Sequence, residues 1–221
     1  NGKLYTIEKS GVLYETTLST GKWKQLGKAD FVATKFMFYA GGFIFTIETS
    51  GSLYKVNPAD GTWKQIGAAG AWKGTIAGTI LSGVLYTVES SGALYKTDLA
   101  TGKWQIIGKP DFAATKIMVA AENMLYTVET SGSLYAINPS NGTWKQIGKP
   151  GDWAGTSFGA VCGNKMYSIE TSGVLYETEL ATGKWKQLGK PDFKATTVMA
   201  AGNDIIHTIE TSGNLYEVKI K

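Results

Sequence analysis

An aspartate followed directly by an aromatic residue recurs along this chain of 221 residues. An aromatic ring stacks on the C–H face of a sugar, and a carboxylate accepts hydrogen bonds from its hydroxyl groups. We therefore predict a ligand-binding role for four pairs and one lone ring, namely Asp30 with Phe31, Asp111 with Phe112, Asp152 with Trp153, Asp192 with Phe193, and Trp72 alone beside Ala71. The alternative is that the rings fill gaps between elements and the aspartates accept hydrogen bonds from turn N–H groups.

A glutamate also recurs, just before each Ser-Gly turn, at Glu8, Glu48, Glu89, Glu129, Glu170 and Glu210. Paired carboxylates can hydrolyse glycosides, and a ring of carboxylates can bind a cation. At the end of a strand, however, such a carboxylate more commonly accepts hydrogen bonds from the turn. No repeat carries a distinctive acid pair, so we predict no enzyme, no catalytic residue and no metal site.

The single histidine and the single cysteine restrict the chemistry further. One cysteine excludes an internal disulfide framework and a cysteine-based metal cluster, and we predict no cofactor. His207 occupies a position that is tyrosine or phenylalanine in the other repeats, so we expect it to replace a packed ring. Cys162 occupies a small-residue position and is expected to be a small buried hydrophobe.

The charge pattern indicates which partners to exclude. The formal net charge is +4, all 22 basic residues are lysines spread along the chain, and arginine is absent. Arginine is the preferred reader of phosphate and guanine, so we do not expect nucleic acid as a partner. No apolar run approaches 18 residues, and we expect neither membrane insertion nor an uncleaved leader.

These residues lie within a repeat of about 40 residues. Glycine in the pattern S-G-x-L-Y recurs at spacings of 40 or 41, at Gly11, Gly51, Gly92, Gly132, Gly173 and Gly213. A second glycine precedes a tryptophan by two residues, at Gly21, Gly61, Gly102, Gly142 and Gly183. A fixed period of this length indicates one supersecondary unit that buries its faces against its neighbours.

Each repeat reads as four short antiparallel strands, because aromatic and β-branched segments alternate with turn residues. The pattern is that of an all-β β-propeller with four-stranded antiparallel blades. One strand of each repeat is rich in alanine and glycine, as in 116–121 (KIMVAA), and is predicted to be innermost, where the blades converge. The outer strand begins at Trp23, Trp63, Trp104, Trp144 or Trp185, and we expect these rings to be packing residues.

The number of blades follows from a longer period. Phe31, Phe112 and Phe193 are 81 residues apart, as are Trp72 and Trp153, so the repeat is a pair of blades. Six strand hairpins and 22 predicted strands favour six blades, with two incomplete blades meeting at a seam. Five blades are the alternative, but would leave an exposed surplus hairpin. We assign residues 1–221 to one propeller domain.

The order of motifs resembles that of the propeller lectins of the tachylectin type. The motifs are 147–153 (IGKPGDW), 166–170 (MYSIE), 175–178 (LYET) and Trp185. Their hairpin pattern is also similar to kelch and quinoprotein repeats. The lectin resemblance implies a propeller with repeated sugar sites in loops between blades.

Together these features predict a multivalent carbohydrate-binding protein without catalysis. Repeated shallow sites would gain strength by avidity on glycans or glycoconjugates at cell surfaces. The alternative function is a structural or protein–protein interaction propeller. We expect a secreted or extracellular location, and the sequence predicts no particular oligomeric state.

Overall fold

The computed structural model describes residues 2–220 and consists of 22 β-strands connected by turns and bends. The first sheet contains Lys3–Ile7 (β1), Leu13–Thr17 (β2) and Trp23–Leu26 (β3); the second Thr34–Ala40 (β4), Phe43–Glu48 (β5), Leu53–Val56 (β6) and Trp63–Ile66 (β7); the third Thr75–Leu81 (β8), Val84–Glu89 (β9), Leu94–Thr97 (β10) and Trp104–Ile107 (β11). The fourth contains Thr115–Ala121 (β12), Met124–Glu129 (β13), Leu134–Ile137 (β14) and Trp144–Ile147 (β15); the fifth Thr156–Cys162 (β16), Lys165–Glu170 (β17), Leu175–Glu179 (β18) and Trp185–Leu188 (β19); the sixth Thr196–Gly202 (β20), Ile205–Glu210 (β21) and Leu215–Lys219 (β22).

The strands form six antiparallel sheets in which each strand pairs with its neighbour in sequence. Four sheets have four strands, and the first and sixth have three. The fold is a six-bladed β-propeller, which confirms the predicted fold class and blade number. Within residues 2–220 no helix is long and apolar enough to cross a membrane.

The chain divides into two compact units, which are described separately. The first comprises Asn1–Thr75, Gly83–Leu85 and Lys96–Gln105, and the second Ile76–Ser82, Tyr86–Tyr95 and Ile106–Lys221. The first unit has a core of side chains from the first two sheets, Leu13, Leu26, Phe31, Ile44 and Val56. The second has one core where the fourth sheet packs on the fifth and another where the fifth packs on the sixth.

Small residues distinguish the first strand of each complete sheet in the second unit. In this unit β12 packs against β16, and β16 against β20, so these strands lie where successive sheets approach most closely. A side chain at Gly159 would press on Ile117, with a Cβ-to-methyl distance of 3.1 Å. The small residues therefore mark the inner strand, as predicted.

Each repeat contains a tight hairpin, and in the first five repeats its glycine also contacts the next repeat. Gly132 has φ +81°, and its N–H donates to the carbonyl of Glu129 at 2.9 Å. A Cβ at Gly132 would collide with the backbone of Ala154, in the loop that enters the fifth sheet. Only glycine permits both the left-handed turn and this close approach. The carbonyl of Gly132 accepts a hydrogen bond from the main-chain N–H of Trp153 at 3.0 Å, and this bond fixes that loop against the hairpin.

Candidate functional site

The aromatic residues of the predicted binding loops are mostly buried. Phe31, Trp72, Phe112 and Trp153 expose between 0% and 3% of their surface, while Phe193 is half-buried. Gly148, at the end of the fourth sheet, lies against the Trp153 ring. The indole N–H of Trp153 donates to the hydroxyl of Thr178 at 3.2 Å. The four buried rings fill gaps between successive sheets, which is the alternative that the sequence left open, and offer no accessible face for a sugar.

Trp72 repeats this arrangement in the first unit. Its indole N–H donates to the Thr97 hydroxyl at 3.4 Å, and its ring lies against Gly67. Gly67 also approaches Gly102, in the turn between β10 and β11, so closely that neither position has room for a Cβ. A large ring fits here because the flanking backbones carry no side chains.

Three of the loop aspartates bind a tryptophan rather than a turn N–H group. The Oδ2 atom of each aspartate accepts a hydrogen bond, at 3.0 Å, from the indole N–H of a tryptophan. That tryptophan begins the outer strand of the sheet that the loop enters. The pairs are Asp30 with Trp63, Asp111 with Trp144, and Asp152 with Trp185. Asp192 is exposed, and the sixth sheet, within residues 2–220, has no outer strand to supply such a tryptophan.

The outer-strand tryptophans are exposed, so the prediction that they are packing residues is wrong. Between 42% and 68% of the surface of each one is accessible. A tyrosine of the adjacent strand meets the ring edge-on, as Tyr176 does for Trp185, with centroids 5.4 Å apart and an interplanar angle of 83°. The same contact joins Tyr14 to Trp23, Tyr54 to Trp63, and Tyr135 to Trp144. The indole is thus fixed by neighbouring side chains while much of its surface faces solvent.

The loop residues and an outer tryptophan enclose a small recess in the second unit. It has a volume of about 40 Å³ and is lined by Asp152, Trp153, Ser168, Glu170, Tyr176 and Trp185. The recess has room for a single small polar group rather than a whole sugar ring. A larger ligand would therefore rest on the exposed ring of Trp185, beside the carboxylates of Asp152 and Glu170.

The other repeated polar residues have structural partners. In the hairpins, the carboxylates of Glu8, Glu48 and Glu129 lie 3.4 Å from serine hydroxyls, and their main-chain carbonyls accept the glycine N–H. Gln25 and Gln187 donate to the carbonyl two residues further on, at 2.9 Å and 2.8 Å. Within residues 2–220, no group of three or more His, Cys, Asp and Glu side chains is suited to hold a metal ion.

The two singular residues lie in the second unit. His207 is buried in β21 at the position that Tyr167 occupies in β17, as expected for a replacement of a packed ring. Cys162 is half-buried, and its thiol lies 3.7 Å from the carboxylate of Asp204. It is therefore less enclosed than predicted.

A charge cluster around the buried carboxylate of Glu177 in the fifth sheet was not predicted. Glu177 accepts hydrogen bonds from Lys165 at 2.7 Å and from Tyr167 at 3.1 Å, and Lys186 lies 3.1 Å away. Burial acts to raise the pKa of Glu177, but these hydrogen bonds and the lysine charges outweigh it and lower the pKa below its ordinary value. Burial and Glu177 together raise the pKa of Tyr167.

The first sheet contains the same cluster around Glu15, with Lys3 at 2.9 Å, Tyr5 at 3.2 Å and Lys24 at 3.5 Å. Burial and Glu15 raise the pKa of Tyr5 to about 12. The signal that could have found both clusters is the combination of Lys-x-Tyr, Leu-Tyr-Glu and Trp-Lys in one repeat. The signal for the aspartate–tryptophan pairs is their constant separation of 33 residues.

Comparison with known proteins supports the fold and one part of the repeat. Residues 73–147 match a family model described as outer membrane protein assembly factor BamB. No curated protein sequence matches the chain significantly. The repeat is therefore BamB-like over this segment, and nothing in these matches points to a tachylectin-type lectin.

Solved structures with low sequence identity share the architecture. The computationally designed protein Ika8 is 12% identical with a TM-score of 0.64, over 100% of this chain and 69% of its own. PorZ, a surface component of the type-IX secretion system of Porphyromonas gingivalis, is 15% identical with a TM-score of 0.61, over 99% of this chain and 32% of its own. BamB from Moraxella catarrhalis is 15% identical with a TM-score of 0.56, over 98% and 66%. The chain thus spans about a third of PorZ and about two thirds of the other two.

Proposed function

We propose that this propeller is a non-catalytic protein-interaction module that binds through the outer tryptophans, Trp23, Trp63, Trp104, Trp144 and Trp185. The observation that supports this proposal is their exposure at one register position in five successive sheets. The first unit carries three of them and the second carries two. Tryptophan and tyrosine are among the residues that contribute most to the free energy of protein–protein binding.

The geometry around each ring favours binding because little conformational entropy remains to be lost. Asp152 and Tyr176 already hold Trp185 in place, and the second carboxylate oxygen of Asp152 can accept a hydrogen bond from a partner. A preorganised side chain binds more tightly than a mobile one of equal contact area. The same arrangement recurs around Trp63 in the second sheet and Trp144 in the fourth, which favours several copies of one binding site over a single reaction centre.

The similar proteins suggest where such a module works. One family description names an outer-membrane assembly factor, and PorZ is described as a surface component of a secretion system. By this analogy we propose that the chain lies outside the cytoplasm and contacts other proteins of the cell envelope. The analogy carries the class of function rather than a particular partner.

The test compares two triple variants as immobilised baits for envelope extracts of the organism that encodes the chain. One is Trp63→Ala with Trp144→Ala and Trp185→Ala, and the control is Val32→Ala with Tyr39→Ala and Ile106→Ala, which removes other exposed apolar side chains. We expect the tryptophan variant to lose captured proteins at least about tenfold and the control to retain them. Equal capture by both variants, or capture that survives protease treatment of the extract, would contradict the proposal.

Carbohydrate binding is the second candidate, and the recess beside Trp185 is the observation that favours it. An exposed indole face lies there with Tyr176 and the carboxylates of Asp152 and Glu170, the groups that stack on a sugar and bind its hydroxyls. A glycan array distinguishes the candidates. Binding that Trp185→Ala abolishes and Trp153→Phe preserves would favour glycans, whereas an empty array at high protein density would leave the protein-interaction function.

A further inference from the structure

The recess beside Trp185 in the fifth sheet combines aromatic rings with carboxylates. Tyr176 and Trp185 supply the rings, and Asp152 and Glu170 supply the carboxylates. An aromatic face attracts a cation through its electric quadrupole, and a carboxylate attracts it by charge and by accepting its hydrogen bonds. The recess therefore has the composition of a site for a positively charged group rather than for an anion or an apolar group.

Both carboxylates can accept further hydrogen bonds. Asp152 binds the Trp185 indole through Oδ2, which leaves Oδ1 available to another donor. Within residues 2–220, the carboxylate of Glu170 has no hydrogen-bond donor, and neither acid forms an ion pair. A donor that enters the recess therefore does not have to displace an existing partner.

Lys116, on the fourth sheet, approaches the recess without lining it. Its ammonium group donates to the carbonyls of Trp153 and Ala154, at 3.1 Å and 2.8 Å, and interacts electrostatically with Glu170. The two carboxylates of the recess and this one lysine together leave an excess of one negative charge. A monovalent cation would neutralise that excess.

A buried hydroxyl group supplies a third acceptor. Ser168 lines the recess and exposes 1% of its surface, and in the part of the chain that the structure describes its hydroxyl has no hydrogen-bond partner. The hydroxyls of Thr46 and Thr127, at the equivalent positions of β5 and β13, are also buried without a partner. An unpaired buried polar group is unfavourable, so these hydroxyls favour a ligand that hydrogen-bonds to them. A primary ammonium group has three N–H donors and no acceptor, which matches Asp152, Glu170 and Ser168 in number.

The volume of the recess restricts the cation to a small one. About 40 Å³ is available, which is close to the ~30 Å³ that one water molecule occupies in the liquid. A primary ammonium group is of similar size, whereas a quaternary ammonium carries methyl groups in place of the N–H donors and a guanidinium is a larger, planar group. Lysine ends in a primary ammonium on an apolar stem, and such a stem can lie along the exposed ring of Trp185.

We propose that the recess beside Trp185 binds the primary ammonium group of a lysine side chain of the partner protein. This inference rests on the proposed protein-interaction function and names the group that the partner presents to the exposed ring. The third repeat has Ala71 at the aspartate position and lacks one of the acceptors. The complete set of residues recurs in the second and fourth sheets as Asp30, Thr46, Glu48, Tyr54 and Trp63, and as Asp111, Thr127, Glu129, Tyr135 and Trp144.

NMR titration of the wild-type protein with small probes tests the chemistry of the site. The probes are n-butylammonium chloride, which has the stem and head of lysine, tetramethylammonium chloride and the neutral analogue n-butanol. We expect n-butylammonium to move the Trp185 indole N–H resonance with saturation at millimolar concentration, and the other two probes to bind at least about tenfold more weakly. The Trp104 resonance of the third repeat should respond less than that of Trp185. A Trp185 resonance that n-butylammonium does not move, or that n-butanol moves equally, would overturn the proposal.

A matched pair of variants then assigns the binding to the recess. Glu170→Gln should weaken n-butylammonium binding at least about tenfold, whereas Glu179→Gln, at an exposed position of the same sheet, should leave it unchanged. Equal affinity of Glu170→Gln and the wild type would also contradict the proposal. The comparison of n-butylammonium with n-butanol uses the wild type alone, so it remains decisive if Glu170→Gln lowers the melting temperature.

The capture experiment with envelope extract separates this proposal from the proposed function. Acetylation of the lysines in the extract removes their charge, and we expect it to reduce capture by the wild-type bait at least about tenfold. Capture that depends on the outer tryptophans but survives acetylation would overturn the lysine proposal and leave the protein-interaction function standing. Capture that the tryptophan variant retains would instead contradict the protein-interaction function, even where n-butylammonium binds to the recess.

Discussion

Trp153 and Trp185 line the same recess of the fifth sheet, yet Trp153 exposes 2% of its surface and Trp185 exposes 48%. Both indole N–H groups have an acceptor, the Thr178 hydroxyl for Trp153 and the Asp152 carboxylate for Trp185. The difference lies in what covers the ring. Glycine backbone at Gly148 and a neighbouring sheet close over Trp153, whereas Trp185 lies on the outer strand, the last of its sheet. One tryptophan therefore stabilises the fold, and the other is available to bind.

The largest expected effect comes from removing the buried ring. Trp153→Ala should lower the free energy of unfolding by about 3–5 kcal/mol, because it leaves a cavity between two sheets and an unpaired Thr178 hydroxyl. Trp185→Ala should lower it by less than about 1 kcal/mol, since an exposed ring loses little burial. Chemical denaturation of both variants measures the difference. Similar losses for the two would remove the distinction between a structural and an available tryptophan.

The contrast between these rings also shows which features could be predicted from the sequence and which could not. Gly132 and its equivalents predicted the repeat, the hairpins and the six-bladed fold, because turn geometry is a local property that glycine spacing reports directly. The burial of Trp153 and the exposure of Trp185 could not be predicted in this way. Both are tryptophans at fixed positions in a β-rich repeat, and only the cover from a neighbouring sheet distinguishes them.

The sequence analysis missed the charge cluster around Glu177 for a related reason. Glu177 is a strand residue of ordinary appearance, and its ion pairs join it to Lys165 and Lys186 on the two flanking strands. The equivalent Glu217 in the sixth sheet is 45% exposed. A single repeat read by itself therefore gives the residue types of the cluster but not its solvent exposure.

The second prediction tests whether close glycine packing is what encloses the buried ring. A Cβ at Gly148 would overlap the Trp153 ring, and its φ of +63° is unfavourable for alanine. Gly189 has a similar φ of +68°, but open space surrounds the Cβ position. Gly148→Ala should cost about 2–4 kcal/mol and Gly189→Ala about 1 kcal/mol, as measured by denaturation. Equal costs would attribute the effect to backbone conformation alone.

The third prediction extends the comparison of buried and exposed side chains from the tryptophans to the buried carboxylate of Glu177. Because the hydrogen bonds and lysine charges lower the pKa of Glu177 in the folded protein, its ionised form stabilises the fold. That contribution is fully present above the pKa of the unfolded chain and is lost as the pH falls through the lower folded value. The wild type should therefore lose more unfolding free energy than Glu177→Gln between neutral pH and about pH 3.

Denaturation of both proteins at the two pH values measures this difference. Glu179→Gln, at an exposed position of the same strand, serves as the control and should follow the wild type. A wild type that loses no more stability than Glu177→Gln would show that the buried cluster contributes nothing to acid sensitivity.

The smallest expected effect concerns the hydrogen bond that orients the exposed ring. Asp152→Asn keeps the shape of the acceptor but removes its charge, so the bond to the Trp185 indole weakens. Unfolding free energy should change by less than about 1 kcal/mol, while the Trp185 indole N–H resonance in an NMR spectrum moves and exchanges faster with water. The Trp153 indole N–H, which donates to Thr178, should remain unchanged in the same spectrum. If both resonances moved together, the two rings would form one coupled unit, and Trp185 could not be altered for binding without disturbing the interface between sheets.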